Sequence, residues 1–410
     1  MGSSKLNLRP DSVDNIIPRL IVWGIWIMNE KSAMAYRPDV DGLRAVAILA
    51  VVAYHVGLPL VNGGFVGVDI FFVISGYLIT GLLKKELTNT GTIHIGDFIA
   101  RRIRRLLPAF FLVMTATLLG AMLTMFPQEL PRMGKSSIAA ALVSSNFHFL
   151  NYSGGYFDPS TDIMPLLHTW SLGVEEQYYF IWPLLLLLVW RFAIVTGQRQ
   201  TVVAMIVLLV VFLGSFLGNV FFIESRHALV YYMMPFRAWE FALGGLLVWA
   251  EPGLRHQSRW PGELLFVLGG LLVSWSIFLP GDIAVYPGWQ AAIPVAGAAA
   301  LIAAGSNERS LWSRKLLGSQ FMVRIGLISY SWYLWHWPML ALSRAHDLGA
   351  RSLFRDSAIS LVALVLAWAT NRFVENPIRY RRPVGFQSTR GTLISGGLIT
   401  LAIVAPILST

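Results

Sequence analysis

The chain has 410 residues, of which 55% are hydrophobic and only 13% charged, and its formal net charge is +10. Soluble domains carry about a quarter charged residues, so this composition and a mean hydropathy of +0.60 exclude an ordinary water-soluble fold and point to a membrane protein. The absence of cysteine excludes disulfides, thiolate metal sites and a cysteine-borne acyl intermediate.

Residues 1–35 read as an interfacial or disordered leader. Its apolar run IIPRLIVWGIWIM, residues 16–28, is too short to span a bilayer and lacks a small-residue cleavage site. Met34, directly before AYRPDVDG, is an alternative start. From there, apolar windows of spanning length lie at 43–62, 65–83, 106–126, 172–190, 202–223, 233–250, 263–280, 288–305, 321–342, 357–374 and 392–408. About eleven such windows predict an all-α polytopic membrane protein, because a span must satisfy its backbone internally and these have helix length. Between the third and fourth windows, SSIAAALVSSNFHFL (136–150) is short for a span. With NYSGGYFDPSTD after it, it reads as a partly re-entrant or interfacial element. The last window stops within two residues of Thr410, as in a chain that continues outward or has been cut.

Lysine and arginine fall mainly in alternate loops. One side holds Lys84, Lys85, the run RRIRR at 101–105, Arg379, Arg381 and Arg382; the other keeps a few, such as Arg132, Arg344, Arg351 and Arg355. The cationic side is the cytoplasmic one, which sets the N-terminus in and the C-terminus out. The positive charge thus reports topology and contact with anionic lipids, and no nucleic-acid partner is expected.

Ionisable groups inside such windows cost about 2.5–3.5 kcal/mol each on insertion scales and mark function by default. Arg44 and His55 are eleven residues apart, about 20° past three helical turns, so they share a face roughly 16 Å apart. An imidazole there suits a general base, and the arginine below it an anionic donor; each alone also reads as a snorkelling cation or an interhelical hydrogen bond. Asp69, inside GGFVGVDIFFVISGYLIT, needs a partner, either His55 or an arginine; the glycines around it permit close packing. RRIRRLLP places Arg101, Arg102, Arg104 and Arg105 before Pro108, which fits the first turn of the third span. The four arginines are either a topological stop or a phosphate clamp.

Glu175 and Glu176 sit about one turn into a span, behind His168, and at most one readily faces a cavity. Arg237 and Glu240 are spaced to pair at i, i+3. Trp335 and His336, in YSWYLWHWP, belong either to an interfacial aromatic belt or to a sugar-stacking surface. Glu375 and Arg379 are placed to cap and pair at the end of the tenth window. No P-loop, GxGxxG, HExxH or other metal-ligand spacing occurs, so no metal is expected.

In order, from about residue 36 to 383, YRPDVDGLRAVAILAVVAYH, GGFVGVDIFFVISGYLIT, RRIRRLLP, HTWSLGVEEQYY, SYSWYLWHWP and VENPIR resemble the membrane acyltransferase-3 family. The resemblance implies a bundle of about ten helices over 36–383, with 384–410 a linker and an eleventh transmembrane helix. Arg44 and His55 match the family's Arg-x10-His pair, and Arg101, Arg102, Arg104 and Arg105 its arginine motif. The implied reaction moves an acyl group, most often acetyl, from acetyl-CoA or another acyl-CoA onto an extracytoplasmic glycan such as O-antigen, capsule, peptidoglycan or exopolysaccharide at the bacterial inner membrane. His55 would act as general base or acyl carrier, with Asp69 or a neighbouring carboxylate setting its tautomer. Glu175, Glu176, Arg237, Glu240, Trp335 and His336 would support the site or face substrate. SGGYFDPSTDIMPLLHTWSLGVEEQ and a helix after VENPIR are similar to the subgroup fused to an outer SGNH-type hydrolase domain. No such domain follows within these residues, so a separate SGNH-type partner or a longer natural chain is implied. A transporter or flippase of a lipid-linked sugar or acyl donor would use the same arginines, but no repeat halves or paired broken helices favour it.

Overall fold

The computed structural model describes residues 36–152, 155–347 and 349–408; the leader expected over 1–35 lies outside them. The described residues contain no strand, and seven helices are long and apolar enough to cross a membrane. The protein is an all-α polytopic membrane protein. In chain order the helices are α1 (Pro38–Val56), α2 (Gly67–Thr90), α3 (Ile95–Thr124), α4 (Leu130–Ala141), α5 (Ser145–Tyr152), α6 (Thr169–Val195) and α7 (Gln200–Phe222). There follow α8 (His227–Tyr232), α9 (Met234–Leu254), α10 (Arg259–Phe278), α11 (Ala292–Ser306), α12 (Gln320–His346), α13 (Leu353–Thr370) and α14 (Thr389–Leu408).

Each apolar window falls on one of the longer helices, and the ambiguous stretch 136–150 becomes the short pair α4 and α5. The helices α1, α9 and α12 are not among the seven. They carry Asp39, Asp41 and Arg44; Arg237, Glu240 and Glu251; and the tyrosines, tryptophans and histidine around His336. Polarity inside a span is tolerated only where other helices cover it, so these three should be interior helices. They are: His55, Arg237, Glu240 and His336 are all buried. By contrast the apolar window of α7 is only 17% buried and that of the α13 segment 22%, against 78% for α2. The most apolar helix, α7, thus faces outward, where lipid replaces water as the solvent.

The third helix corrects an expectation. It begins at Ile95, so Pro108, expected in its first turn, lies in the helix interior. The four arginines therefore project from the helix instead of preceding it. Pro108 has no N–H to give the carbonyl of Arg104.

Side by side, α1 packs along α12, α2 along α9, and α9 along α7. The α2–α9 seam is a backbone-to-backbone contact. A β-carbon on Gly76 would lie 2.0 Å from the Phe241 carbonyl oxygen, and one on Gly244 would lie 2.0 Å from that of Val73. Small residues at such seams let dispersion and polar contacts act where the hydrophobic effect does not. At the start of α1, Arg37 ties three helices together. It donates to Asp39 at 2.7 Å, to the Tyr77 hydroxyl of α2 at 2.7 Å, and to Ser306 Oγ of α11 at 3.0 Å.

Gly76→Val should destabilise the bundle by about 1–3 kcal/mol through overpacking, read as a lower thermal midpoint of detergent-solubilised protein by size-exclusion. Gly270→Ala on α10, whose added β-carbon meets nothing within 4 Å, should leave the midpoint unchanged.

Candidate active site

Two cavities are stacked along the axis of α1. The larger, about 800 Å³, is lined by Tyr54 and His55 at the end of α1, by Trp337 and Arg344 of α12, and by Tyr156 and Asp162 of the α5–α6 connection. The narrower, about 90 Å³, is lined by Arg44 at the start of α1, Phe71 and Ser75 of α2, Arg102 and Arg105 of α3, Glu175 of α6 and Tyr333 of α12. Arg44 and His55 thus open onto different cavities, about 16 Å apart by helical rise. The narrow cavity ends on Tyr333, whose hydroxyl pairs with Ser171 Oγ at 2.7 Å.

The chemistry of the larger cavity follows from the backbone of α12. His336 Nδ1 lies 2.7 Å from the Tyr333 carbonyl and 3.2 Å from that of Trp332. A carbonyl only accepts, so Nδ1 carries the proton and Nε2 of the neutral ring is an acceptor. His336 Nε2 lies 3.1 Å from His55 Nδ1, so His55 donates from Nδ1 and its own Nε2 is left with the lone pair. That nitrogen is on the side of the larger cavity, 3.1 Å from the Tyr156 hydroxyl, which donates to it. Trp337 stands 4.5 Å from the His55 ring, and Tyr156 stacks on Tyr231 at 4.8 Å. Arg344 donates to the His55 carbonyl at 2.5 Å and pairs with Asp356 at 2.8 Å, and both partners of that pair are at most 1% exposed.

Several expected residues sit elsewhere. Asp69 does not set the His55 tautomer: its two carboxylate oxygens accept from Arg237 at 2.6 Å and from the Tyr286 hydroxyl at 2.5 Å. Arg237 also pairs with Glu240 at 2.8 Å, as the i, i+3 spacing predicts. This cluster lines neither cavity. Breaking such a buried pair costs about 3–5 kcal/mol, so its members brace the bundle. They also reach the site indirectly, because the Arg237 guanidinium lies over Tyr231, 5.7 Å from its centroid, and Tyr231 stacks on Tyr156. Trp335 donates to Thr370 of α13 at 2.9 Å, and the tryptophan of this stretch that lines the larger cavity is Trp337. Glu375 is taken by Ser331 and Asn371, and Arg379 lies over Tyr380 instead of pairing with it.

The arginine run divides by helical face. Arg101 pairs with Glu86 at 3.2 Å, and Arg104 donates to Thr392 of α14 at 2.8 Å. Arg102 pairs with Glu176 and lies 3.7 Å from the centre of the Tyr179 ring. Arg105 has no ion-pair partner among the described residues. Arg44 pairs with Asp41 at 3.1 Å. Both glutamates therefore belong to the arginine end of α6: Glu175 lines the narrow cavity and accepts from Ser75 at 2.9 Å, while Glu176 holds Arg102. Three guanidinium groups line this cavity, two of them already paired with Asp41 and Glu176, and Arg105 is the one left to suit phosphate oxygens. The same cavity is also lined by the apolar side chains of Phe71, Phe72, Ile74 and Leu78, and at about 90 Å³ it is too small for a nucleotide.

Sequence reasoning missed Tyr156, Trp337 and Arg344. Tyr156 lay in a segment marked only by turn residues, and Arg344 was counted as a loop cation. Among the described residues no cluster of histidine, aspartate and glutamate has the geometry to hold a metal.

A sequence profile described as an acyltransferase domain matches residues 37–372. A Bacillus subtilis (strain 168) protein named "Putative peptidoglycan O-acetyltransferase YrhL" is 34% identical over 364 residues, covering 86% of this chain and 56% of that protein. The Listeria monocytogenes (strain EGD-e) protein named "Peptidoglycan O-acetyltransferase OatA" is 30% identical over 354 residues, covering 84% of this chain and 56% of that protein. The chain spans a little over half the length of these relatives. No solved structure matches it. The match runs from the residue before α1 to just past α13 and takes in both cavities, and so the chain belongs to the acyltransferase-3 family of membrane acyltransferases.

Proposed function

We propose that the protein is a membrane O-acetyltransferase of the bacterial inner membrane, moving an acetyl group from acetyl-CoA in the cytoplasm to a hydroxyl of an extracytoplasmic glycan. The observation that carries the reading is the disposition of His55: its unprotonated Nε2, which accepts from the Tyr156 hydroxyl, faces the larger cavity, while the arginine cavity approaches from the opposite end of α1. Arg44, Arg102 and Arg105 hold the donor phosphates, and the pantetheine arm lies along the narrow apolar passage. The cationic loops at that end support a cytoplasmic side there, with the N-terminus in and the C-terminus out.

The larger cavity receives the acceptor. Its aromatic walls and paired charges suit a sugar, whose faces stack and whose hydroxyls bond. Both relatives above carry peptidoglycan in their names, which supports a wall polysaccharide ahead of O-antigen as the proposed acceptor. An SGNH-type domain or partner would then pass the group onward. His55 Nε2 takes the proton of the attacking hydroxyl, or carries the acyl group itself; in both routes the same lone pair reacts. His336 is the positioning residue that keeps it bare.

His55→Ala should abolish acetyl transfer in membranes that contain normal amounts of the protein, since a positioned base contributes about 10²–10⁴-fold. Retention of near wild-type transfer would remove His55 from the mechanism. His336→Phe should lower turnover on the order of a hundredfold with the KM for acetyl-CoA unchanged, and His336→Gln, which keeps an acceptor for His55 Nδ1, should recover most of it.

Arg105→Ala should raise the KM for acetyl-CoA at least about tenfold by removing a charge-assisted phosphate contact, whereas Arg101→Ala should change it less than about twofold. Equal effects of the two would refute the division of the arginine run.

A further inference from the structure

Tyr156 stands where an acceptor would stand. Its hydroxyl donates to His55 Nε2 at 3.1 Å, and the unprotonated nitrogen of a neutral imidazole has one lone pair, so one place for a donor. While that bond is made, Nε2 can neither take a proton from another hydroxyl nor be acylated. An O–H aimed at this lone pair from the wall of the larger cavity is also the contact a sugar hydroxyl would make there.

The residue is lightly held for one so placed. Among the described residues His55 is the only hydrogen-bond partner of its hydroxyl. Its ring lies on Tyr231 at 4.8 Å and edge-on to Phe157 at 5.1 Å. It belongs to the α5–α6 connection and not to a long helix. Asp162 fastens that connection to the α12–α13 loop by accepting from Arg351 Nε at 2.7 Å. The Arg351 side chain is 57% exposed, and ion pairs so exposed are weak. A sugar ring offers the aromatic wall a face to stack on, and offers Asp162 and Arg351 hydroxyls to bond. It can therefore replace each contact that Tyr156 gives up. Water offers the lone pair a hydrogen bond but nothing for the stacked ring.

We propose that Tyr156 is a specificity-determining residue, which occupies the His55 lone pair until a sugar hydroxyl takes its place, so that the acetyl group goes to the glycan and not to water. The proposal rests on the O-acetyl transfer proposed above and on the role of His55 in it. The reaction that Tyr156 suppresses is hydrolysis, a loss that closed active sites prevent by excluding water. A water oxygen would add to the thioester carbon as one of its protons passes to His55 Nε2. The carbon–sulfur bond would then break, and the thiolate would take that proton from His55, giving acetic acid and CoA thiol.

The test uses the full chain in lipid nanodiscs with acetyl-CoA, with and without chitopentaose as acceptor probe. CoA release is followed with a thiol reagent, and acetate and ester by mass spectrometry. Tyr156→Phe keeps the ring and removes the O–H. Without acceptor it should release CoA at least about tenfold faster than wild type, a part of the about 10²–10⁴-fold that a positioned base supplies. The acetyl group should be recovered as acetate, and the thermal midpoint should be unchanged. Adding His55→Ala to the same chain should abolish this release, which a general loosening of the bundle would not do. The proposal is overturned if Tyr156→Phe and wild type release CoA without acceptor within about twofold of each other, if the release survives His55→Ala, or if Tyr156→Phe does not accumulate. A fall in CoA release both with and without the probe also overturns it, because Tyr156 would then take part in the transfer itself. If neither chain releases CoA with or without the probe, the functional reading itself fails, a result separate from the others.

Discussion

The hydrogen bond between His55 Nδ1 and His336 Nε2 is the contact from which the rest of the site follows. In a bundle surrounded by lipid, no water stands by to satisfy a buried valence, so each polar atom is decided by its neighbours. Two carbonyls of α12 fix the proton on His336, His336 fixes it on His55, and the second nitrogen of His55 is left bare as a consequence. The orientation then passes outward, through the Tyr156 hydroxyl to the Tyr231 ring and on to the Arg237 guanidinium. A helix backbone, the most regular structure in the chain, is thus the origin of the His55 tautomer.

The buried polar groups fall into two kinds. Asp69, Arg237, Glu240 and Tyr286 spend their charge on one another, as do Arg344 with Asp356 and Arg37 with Asp39. They hold helices in register, and the energetic penalty for separating them is what makes the register firm. The second kind lines a cavity with no charged partner among the described residues: His55 at the larger cavity and Arg105 at the narrow one. In the proposed function chemistry belongs to the second kind, and burial alone does not separate the two. Asp69 is more deeply buried than His55.

Composition and apolar windows made the helix inventory legible, because bilayer thickness dictates segment length. The Arg44–His55 spacing was legible too, since it lies within one helix and follows from its pitch. Partnerships between helices were not. Asp69 had two candidate partners in the sequence, and only packing chose Arg237. Trp335 and Trp337 flank the same histidine, yet two positions on a helix are about 200° apart, so one meets α13 and the other the cavity. The arginine run was resolvable in part: Arg102 and Arg105 lie on one face and Arg104 nearly opposite, but which face turned inward depended on α6. Arg344, read as a loop cation, was hidden by its partner Asp356, which lies on another helix.

The long reach of these partnerships bears on how the protein is made. Asp69 precedes Arg237 by 168 residues and Tyr286 by 217, and His55 precedes His336 by 281. A chain inserted in order of synthesis therefore holds α1 and α2 in the bilayer with their polar groups unmatched until α9 and then α12 arrive. An aspartate at mid-membrane costs about 2.5–3.5 kcal/mol on insertion scales, close to the margin by which a typical apolar span is favoured. Early helices of this kind depend on a sheltered place beside the insertion machinery, and the histidine partner of His55 joins only after a further 281 residues have been translated.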